Sequence, residues 1–120
     1  MTLVDTSVWG EHIRRPMAEV EELLGTDRAL IHPLVLGELS LSPLKDRALR
    51  LGQLGLLECL PMADHEEVAA LIERFKLWGR GLGWVDCHLL AAAREAHCHL
   101  LTRDKALRAA WLMVRPKLPF

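Results

Sequence analysis

The sequence predicts an α/β fold, a three-layer α/β/α sandwich around a short, mostly parallel central sheet of four to five strands. Short apolar runs alternate with helical stretches along the whole chain, which is the pattern of a parallel sheet covered on both faces. The best of these runs, Ala29-Leu30-Ile31-His32, is continuous rather than alternating, as a strand buried on both sides is. At 120 residues with 51% hydrophobic content, the chain is long enough to form one domain, residues 1–120, with a core that needs no disulfides.

Leu3 and Val4 form the first strand, and Asp5 sits where that strand must end. Thr6 and Ser7 are cap-type hydroxyls, and residues 6–14 form an amphipathic helix closed by Arg14-Arg15-Pro16. Residues 17–24 make a second short helix with Val20, Leu23 and Leu24 on one face, ended by Gly25. After the strand at residues 29–32, Pro33 suits the first position of a helix, where its missing N–H costs nothing. That helix runs through Leu39 and stops near Ser42-Pro43. A helix over residues 44–54 and Gly55 precede a strand, Leu57-Glu58-Cys59-Leu60, which Pro61 terminates.

Asp64-His65-Glu66-Glu67 reads as a capping box, with Asp64 as N-cap and Glu67 reaching back. The helix it opens carries Val68, Leu71, Ile72, Phe75 and Trp78 at helical spacing. Gly79-Arg80-Gly81-Leu82-Gly83 is a loop by composition. Residues 84–96 form the longest helix, with Val85, Leu89, Ala92, Ala93 and Ala96 toward the core. His99-Leu100-Leu101-Thr102 is the next strand, and residues 104–111 form the last helix. Leu112-Met113-Val114 is a candidate final edge strand before Pro116.

The net charge of −1 and pI near 6.6 argue against a protein that holds nucleic acid by bulk electrostatics. The charge is uneven, since residues 103–120 carry Arg103, Lys105, Arg108, Arg115 and Lys117 against Asp104 alone. Contact with phosphates and a plain solvated surface are both open to that stretch. Cys59, Cys87 and Cys98 form no C-x-x-C pair, so neither a disulfide framework nor a zinc ribbon is indicated. No leader and no apolar run of membrane-spanning length appears, and the expected setting is reduced and cytoplasmic. The mean hydropathy of +0.14 is slightly high and hints at apolar surface for a partner or a second copy.

Four acids stand out. A carboxylate at the carboxyl end of a first strand, as Asp5 is, lies where open α/β sheets put their ligands. Asp104 follows the strand at residues 99–102, and the two share a crevice if those strands are neighbours. Glu38 interrupts an otherwise apolar helical stretch, which costs free energy unless the group is paired, hydrated or metal-bound. Asp86 lies in the first turn of its helix among Val85, Leu89 and Leu90. Each has a structural alternative: N-caps for Asp5 and Asp104, the helix dipole for Asp86, a solvent face for Glu38. Four converging carboxylates repel, however, unless a cation neutralises them, and an all-oxygen set suits Mg²⁺ or Mn²⁺. The matching chemistry is metal-assisted phosphodiester hydrolysis.

Val4-Asp5-Thr6-Ser7-Val8-Trp9, Gly37-Glu38-Leu39, Asp86-Cys87-His88-Leu89-Leu90-Ala91-Ala92-Ala93 and Leu101-Thr102-Arg103-Asp104 resemble, in order and spacing, the motifs of PIN-domain ribonucleases. The length and the hydroxyls beside Asp5 look like the VapC-type toxins of bacterial toxin–antitoxin pairs. The resemblance spans residues 3–114 and implies a PIN-like fold. It also implies an acidic quartet of Asp5, Glu38, Asp86 and Asp104 holding one or two Mg²⁺ or Mn²⁺ ions. Thr6, Ser7 and Thr102 match the supporting hydroxyls. An RNA substrate, a cognate VapB-type antitoxin whose C-terminal peptide covers an apolar groove, and a homodimer follow from the same resemblance. Cys87, in place of the commoner small residue, and Ser42, where many relatives have glycine, depart from the pattern without touching an acid.

Arg80 and Arg103 are candidates for contact with RNA phosphates, or equally for surface roles. Trp9 and Ile13 either line an apolar groove beside the site or, more simply, pack in the core. His97-Cys98-His99 is a poor metal motif, because adjacent strand residues face opposite ways. A phosphatase using an aspartyl-phosphate needs an Asp two residues after the first, where this chain has Ser7. The alternative kept open is a non-catalytic PIN-like RNA- or protein-binding module, which retention of all four acids disfavours.

Overall fold

Residues 1–117 are described by a computed structural model; the end of the basic stretch, residues 118–120, lies outside the described residues. Elements run β1 (Thr2–Val4), α1 (Thr6–Arg14), α2 (Ala18–Gly25), β2 (Ala29–Ile31), α3 (Pro33–Ser40), α4 (Arg47–Leu54), β3 (Glu58–Cys59), α5 (His65–Phe75), α6 (Trp84–Ala96), β4 (His99–Leu101) and α7 (Lys105–Val114). The sheet has the order β3-β2-β1-β4, and each pairing is parallel. Leu3 lies opposite Leu30 on one side and Leu100 on the other.

This order determines the layers. From β1 the chain steps to β2 and then β3 in one direction, and right-handed crossovers place α1 to α4 on one face. The return from β3 past β2 and β1 to β4 runs the opposite way and places α5 and α6 on the other face. The packing agrees: α3 packs against both α1 and α4, and α6 against both α5 and α7. With helices on both faces, Leu3, Val4, Leu30 and Ile31 are buried, which explains the apolar runs Leu3-Val4 and Ala29-Leu30-Ile31. The topological switch falls between β1 and β4, and in open α/β sheets the carboxyl ends of the strands at such a switch flank the ligand crevice.

The final edge strand does not form; the sheet of the described residues has four strands, and Leu112-Met113-Val114 continues α7. Leu107, Ala110, Trp111 and Val114 recur at helical spacing and are buried, whereas Leu112 and Met113 are exposed. Arg94 caps this helix by donating from Nη1 to the carbonyl of Val114.

Trp78 also falls outside its expected helix. Lys76 takes the left-handed conformation (φ 53°), Lys76 N–H bonds the carbonyl of Glu73 and Leu77 N–H that of Ile72. This is a Schellman end, which turns Leu77 into the core and Trp78 out to solvent. α4 begins at Arg47 rather than residue 44, because Asp46 is left-handed (φ 54°) and breaks the first turn. In α6, Leu89, Ala92 and Ala93 are buried as expected, Val85 is half-buried, and Ala96 is exposed.

Candidate active site

Asp5 follows β1 at the switch point. It is only 6% exposed, and its carboxylate is held by donors from two elements. Oδ1 accepts from Thr6 N–H (2.8 Å), while Oδ2 accepts from the hydroxyls of Ser7 (2.8 Å) and Thr102 (2.7 Å). Thr102 follows β4, so this bond joins the carboxyl ends of the two strands at the switch point. Thr102 Oγ1 also accepts from Asp104 N–H (3.0 Å), and Arg108 Nη2 donates to the Thr102 carbonyl (3.0 Å). The three hydroxyls singled out from the sequence therefore position carboxylates, as Thr6 Oγ1 donates to Glu38 Oε1 (2.6 Å).

Asp104 and Asp86 also serve the starts of their helices. Asp104 Oδ1 accepts from Leu107 N–H (2.9 Å), an N-cap of α7. Asp86 Oδ2 accepts from Gly83 N–H (2.9 Å), half of a capping box without a side chain at the cap. Among the described residues, Asp86 Oδ1, Glu38 Oε2 and Asp104 Oδ2 keep a carboxylate oxygen without a protein donor.

The electrostatics show that the acids share one field. Burial raises the Asp86 pKa above the usual carboxylate value; the Gly83 hydrogen bond opposes this, and the charges of Asp5, Asp104 and Glu38 add to it. The four do not close on a common point, and among the described residues no three His, Cys, Asp or Glu side chains form a ready-made ion cage. An open, all-oxygen set with a charge excess fits a hard divalent cation that retains several of its own waters.

The cations are placed differently. Arg103 Nε pairs with Glu11 (3.2 Å), both partly exposed, and its backbone N–H donates to Ser7 Oγ (3.2 Å). Arg80 Nε donates to the Lys76 carbonyl (2.9 Å) on the surface of the Gly-rich loop. Neither guanidinium contacts an acid of the quartet. His97 is the left-handed cap after α6 rather than a strand residue, and among the described residues the His97-Cys98-His99 run forms no three-residue metal cluster.

Behind α1, Trp9, His12, Ile13, Leu24, Leu54 and Leu57 line a small groove of about 100 Å³ with Arg50 and Gln53. Trp9 is buried in the core, as the simpler expectation had it, and also borders this groove, which none of the four acids lines. Among the described residues, Trp9 Nε1 and Arg50 Nε are buried donors without an acceptor.

Sequence reasoning had Arg108 only as part of the basic stretch, not as a donor to the Thr102 carbonyl, and it passed over a row of rings near Asp86. His32, fully buried at the end of β2, accepts from Leu34 N–H through Nδ1 (3.0 Å). Burial, with His88 beside it, lowers its pKa to about 4. The His32 ring lies 6.2 Å from that of His88. A histidine directly before Pro33 was the available signal, as a helix cap; nothing in the sequence ties it to His88.

A model of the PIN domain matches residues 2–111. The chain is 50% identical over 111 residues to Ribonuclease VapC32 of Mycobacterium tuberculosis, in strain CDC 1551 / Oshkosh and in strain H37Rv alike, covering 92% of this chain and 90% of the relative. The crystal structure of PAE2754 from Pyrobaculum aerophilum superimposes with a TM-score of 0.66 at 21% identity, over 90% of this chain and 82% of that one, a likeness of fold. With a family match over nearly the whole described length and half the residues shared with a VapC protein, the chain belongs to the PIN-domain family, among its VapC-type members.

Proposed function

We propose that this chain is a divalent-metal-dependent endoribonuclease that hydrolyses RNA phosphodiester bonds, and the toxin of a VapBC-type toxin–antitoxin pair. The observation that carries the reading is the hydroxyl-bonded set at the switch point, where Ser7 and Thr102 orient Asp5 and Thr6 orients Glu38; Asp86, its pKa raised first by burial, also feels the charges of Asp5, Asp104 and Glu38. Carboxylates left in mutual repulsion at a switch-point crevice are a stability cost that a bound cation offsets. VapC32, the relative half identical to this chain, is named a ribonuclease.

Asp5, Asp86, Asp104 and Glu38 are the residues that would hold Mg²⁺, with Mn²⁺ as a substitute. When bound there, the ion activates a water and offsets charge on the leaving oxygen. Ser7 and Thr102 keep Asp5 in one orientation by donating to Oδ2. Thr6 holds Glu38 toward the crevice, and the Asp104 cap bond fixes that carboxylate on α7. Hydroxyl donors leave the carboxylates anionic, whereas a lysine or arginine in their place would neutralise them and compete with the cation. Arg80 and Arg103 contact RNA phosphates, Arg103 after exchanging Glu11 for the substrate.

The same reading has residues 1–120 act as one domain in the cytoplasm, as a homodimer. Among the described residues no helix is long and apolar enough to cross a membrane. Exposed Leu112 and Met113 on α7 provide apolar surface suited to a second copy. A VapB-type antitoxin places a C-terminal peptide in the groove behind α1, where Trp9 Nε1 and Arg50 Nε await acceptors.

Purified protein is expected to cleave RNA in Mg²⁺ or Mn²⁺, to stop in EDTA, and to lose at least about 100-fold in rate in Asp5→Asn. Cleavage that continues unchanged in both Asp5→Asn and Asp104→Asn overturns the four-acid assignment.

A further inference from the structure

Trp84 opens α6, two positions before Asp86, and 43% of it is exposed. The ring is nevertheless mounted rather than loose. His65 at the start of α5 lies against it with centroids 4.9 Å apart and a tilt of 38°. His88, one turn along α6, meets it edge-on at 5.2 Å and 82°. His88 is buried and backed in turn by the fully buried His32 at the end of β2. A row of rings thus runs from the core out to an indole at the rim. Asp86 Oδ2 bonds the N–H of Gly83, so this carboxylate lies against the backbone immediately before Trp84.

The electrostatics leave a task for such a ring. The chain carries a net charge of −1, and Arg103 is paired with Glu11. Phosphate contacts alone therefore supply modest RNA affinity. Unpaired bases gain affinity by stacking on aromatic rings, and removal of one such ring weakens binding about 5- to 150-fold whatever the charge balance. A base paired within a duplex has no free face to offer.

Resting on the ribonuclease reading, we propose that Trp84 is a base-stacking platform for an unpaired nucleotide close to the bond that is cut. It is then a substrate-binding residue that restricts cleavage to single-stranded or loop RNA, and the histidines hold its ring in place.

The test uses the Asp5→Asn chain, which keeps RNA intact, and a fluorescein-labelled single-stranded RNA of about 12 nucleotides, within the footprint of small single-strand binders. Adding Trp84→Ala weakens binding by about tenfold, whereas Trp84→Phe stays within about threefold, with thermal melts confirming that both fold. An abasic nucleotide moved along the RNA identifies one position that weakens binding to the parent and no longer matters to Trp84→Ala, the coupling that a purely structural tryptophan does not show. In the active chain, Trp84→Ala raises KM and leaves kcat nearly unchanged. An active wild-type chain whose Trp84→Ala variant binds RNA as tightly as its parent overturns this inference alone. So does a variant that loses self-association or antitoxin binding while RNA affinity stays intact. A wild-type chain that cleaves no RNA in Mg²⁺ or Mn²⁺ overturns the ribonuclease reading, and this inference with it.

Discussion

The starts of α1 and α5 look alike in sequence and differ in what their aspartates do. Asp64 accepts from Glu67 N–H (2.8 Å) and its own N–H reaches Glu67 Oε1 (3.5 Å), so its polar contacts stay within one turn at the surface. Asp5 is buried, and its carboxylate accepts from one backbone amide, Thr6 N–H; its second oxygen is taken by Ser7 and by Thr102, which arrives from the end of β4. A capping acid looks back along its own helix and needs nothing else from the fold. Asp5 instead gathers a neighbouring strand, and its field reaches Asp86 on a third element. Position before a helix does not separate these cases; the origin of the donors does.

The largest effect is expected at Asp86. Asp86→Asn retains an oxygen for Gly83 N–H and removes the charge, and cleavage falls by at least about 100-fold. Stability moves the other way. Burial, with the other acids adding, raises the Asp86 pKa, so the folded chain holds this proton more tightly than the unfolded chain. Stability therefore falls as pH rises from the ordinary carboxylate value through the raised one, and the penalty is fully present above it. In EDTA near neutral pH Asp86→Asn melts higher than the parent, and the gap closes in acid. Saturating Mg²⁺ stabilises the parent selectively and narrows the gap again. Thermal melts across about pH 4 to 8 read the sign, and an Asp86→Asn chain that melts lower throughout would remove the repulsion from the account.

Thr102→Val gives a smaller, more selective effect. It preserves shape, removes a donor to Asp5 and leaves Asp104 N–H without its acceptor. Loss of such an outer hydrogen bond weakens metal affinity by about 10- to 100-fold, measurable by calorimetric titration with Mn²⁺. Ser7→Ala, which leaves the Thr102 bond in place, should fall short of this. Equal losses in the two variants would mean that joining β1 to β4 is not what orients Asp5.

Much of this was legible before the fold was known. The four strands that form, the α1 and α6 boundaries and the α5 capping box follow from apolar runs and cap residues, and the four acids stood out as candidates against that frame. The strand order was the missing step that turns Asp5 and Asp104 from two caps into neighbours. Trp78 and the supposed last strand were misplaced for local reasons: Lys76 adopts a left-handed turn that composition does not announce, and Leu112-Met113-Val114 is apolar on both sides of a helix. The pairing of Arg103 with Glu11, and the contacts of His32 with His88 and of His65 with Trp84, join residues from separate elements, so no local pattern encodes them; the Trp84–His88 contact, one turn along α6, is local.

The smallest effect belongs to Asp64, and it tests the comparison from the opposite side. Asp64→Ala removes the acceptor for Glu67 N–H and costs about 1 kcal/mol of stability, a shift of a few degrees in Tm. Its carboxylate is not among the charges acting on Asp86, so kcat should be unchanged. KM has a separate route to respond, because His65 is the first residue of α5 and lies against Trp84. A rise in KM with kcat held would tie the α5 cap to the ring at the rim. A fall in kcat would place the start of α5 within the acid cluster and remove the distinction between the two helix starts.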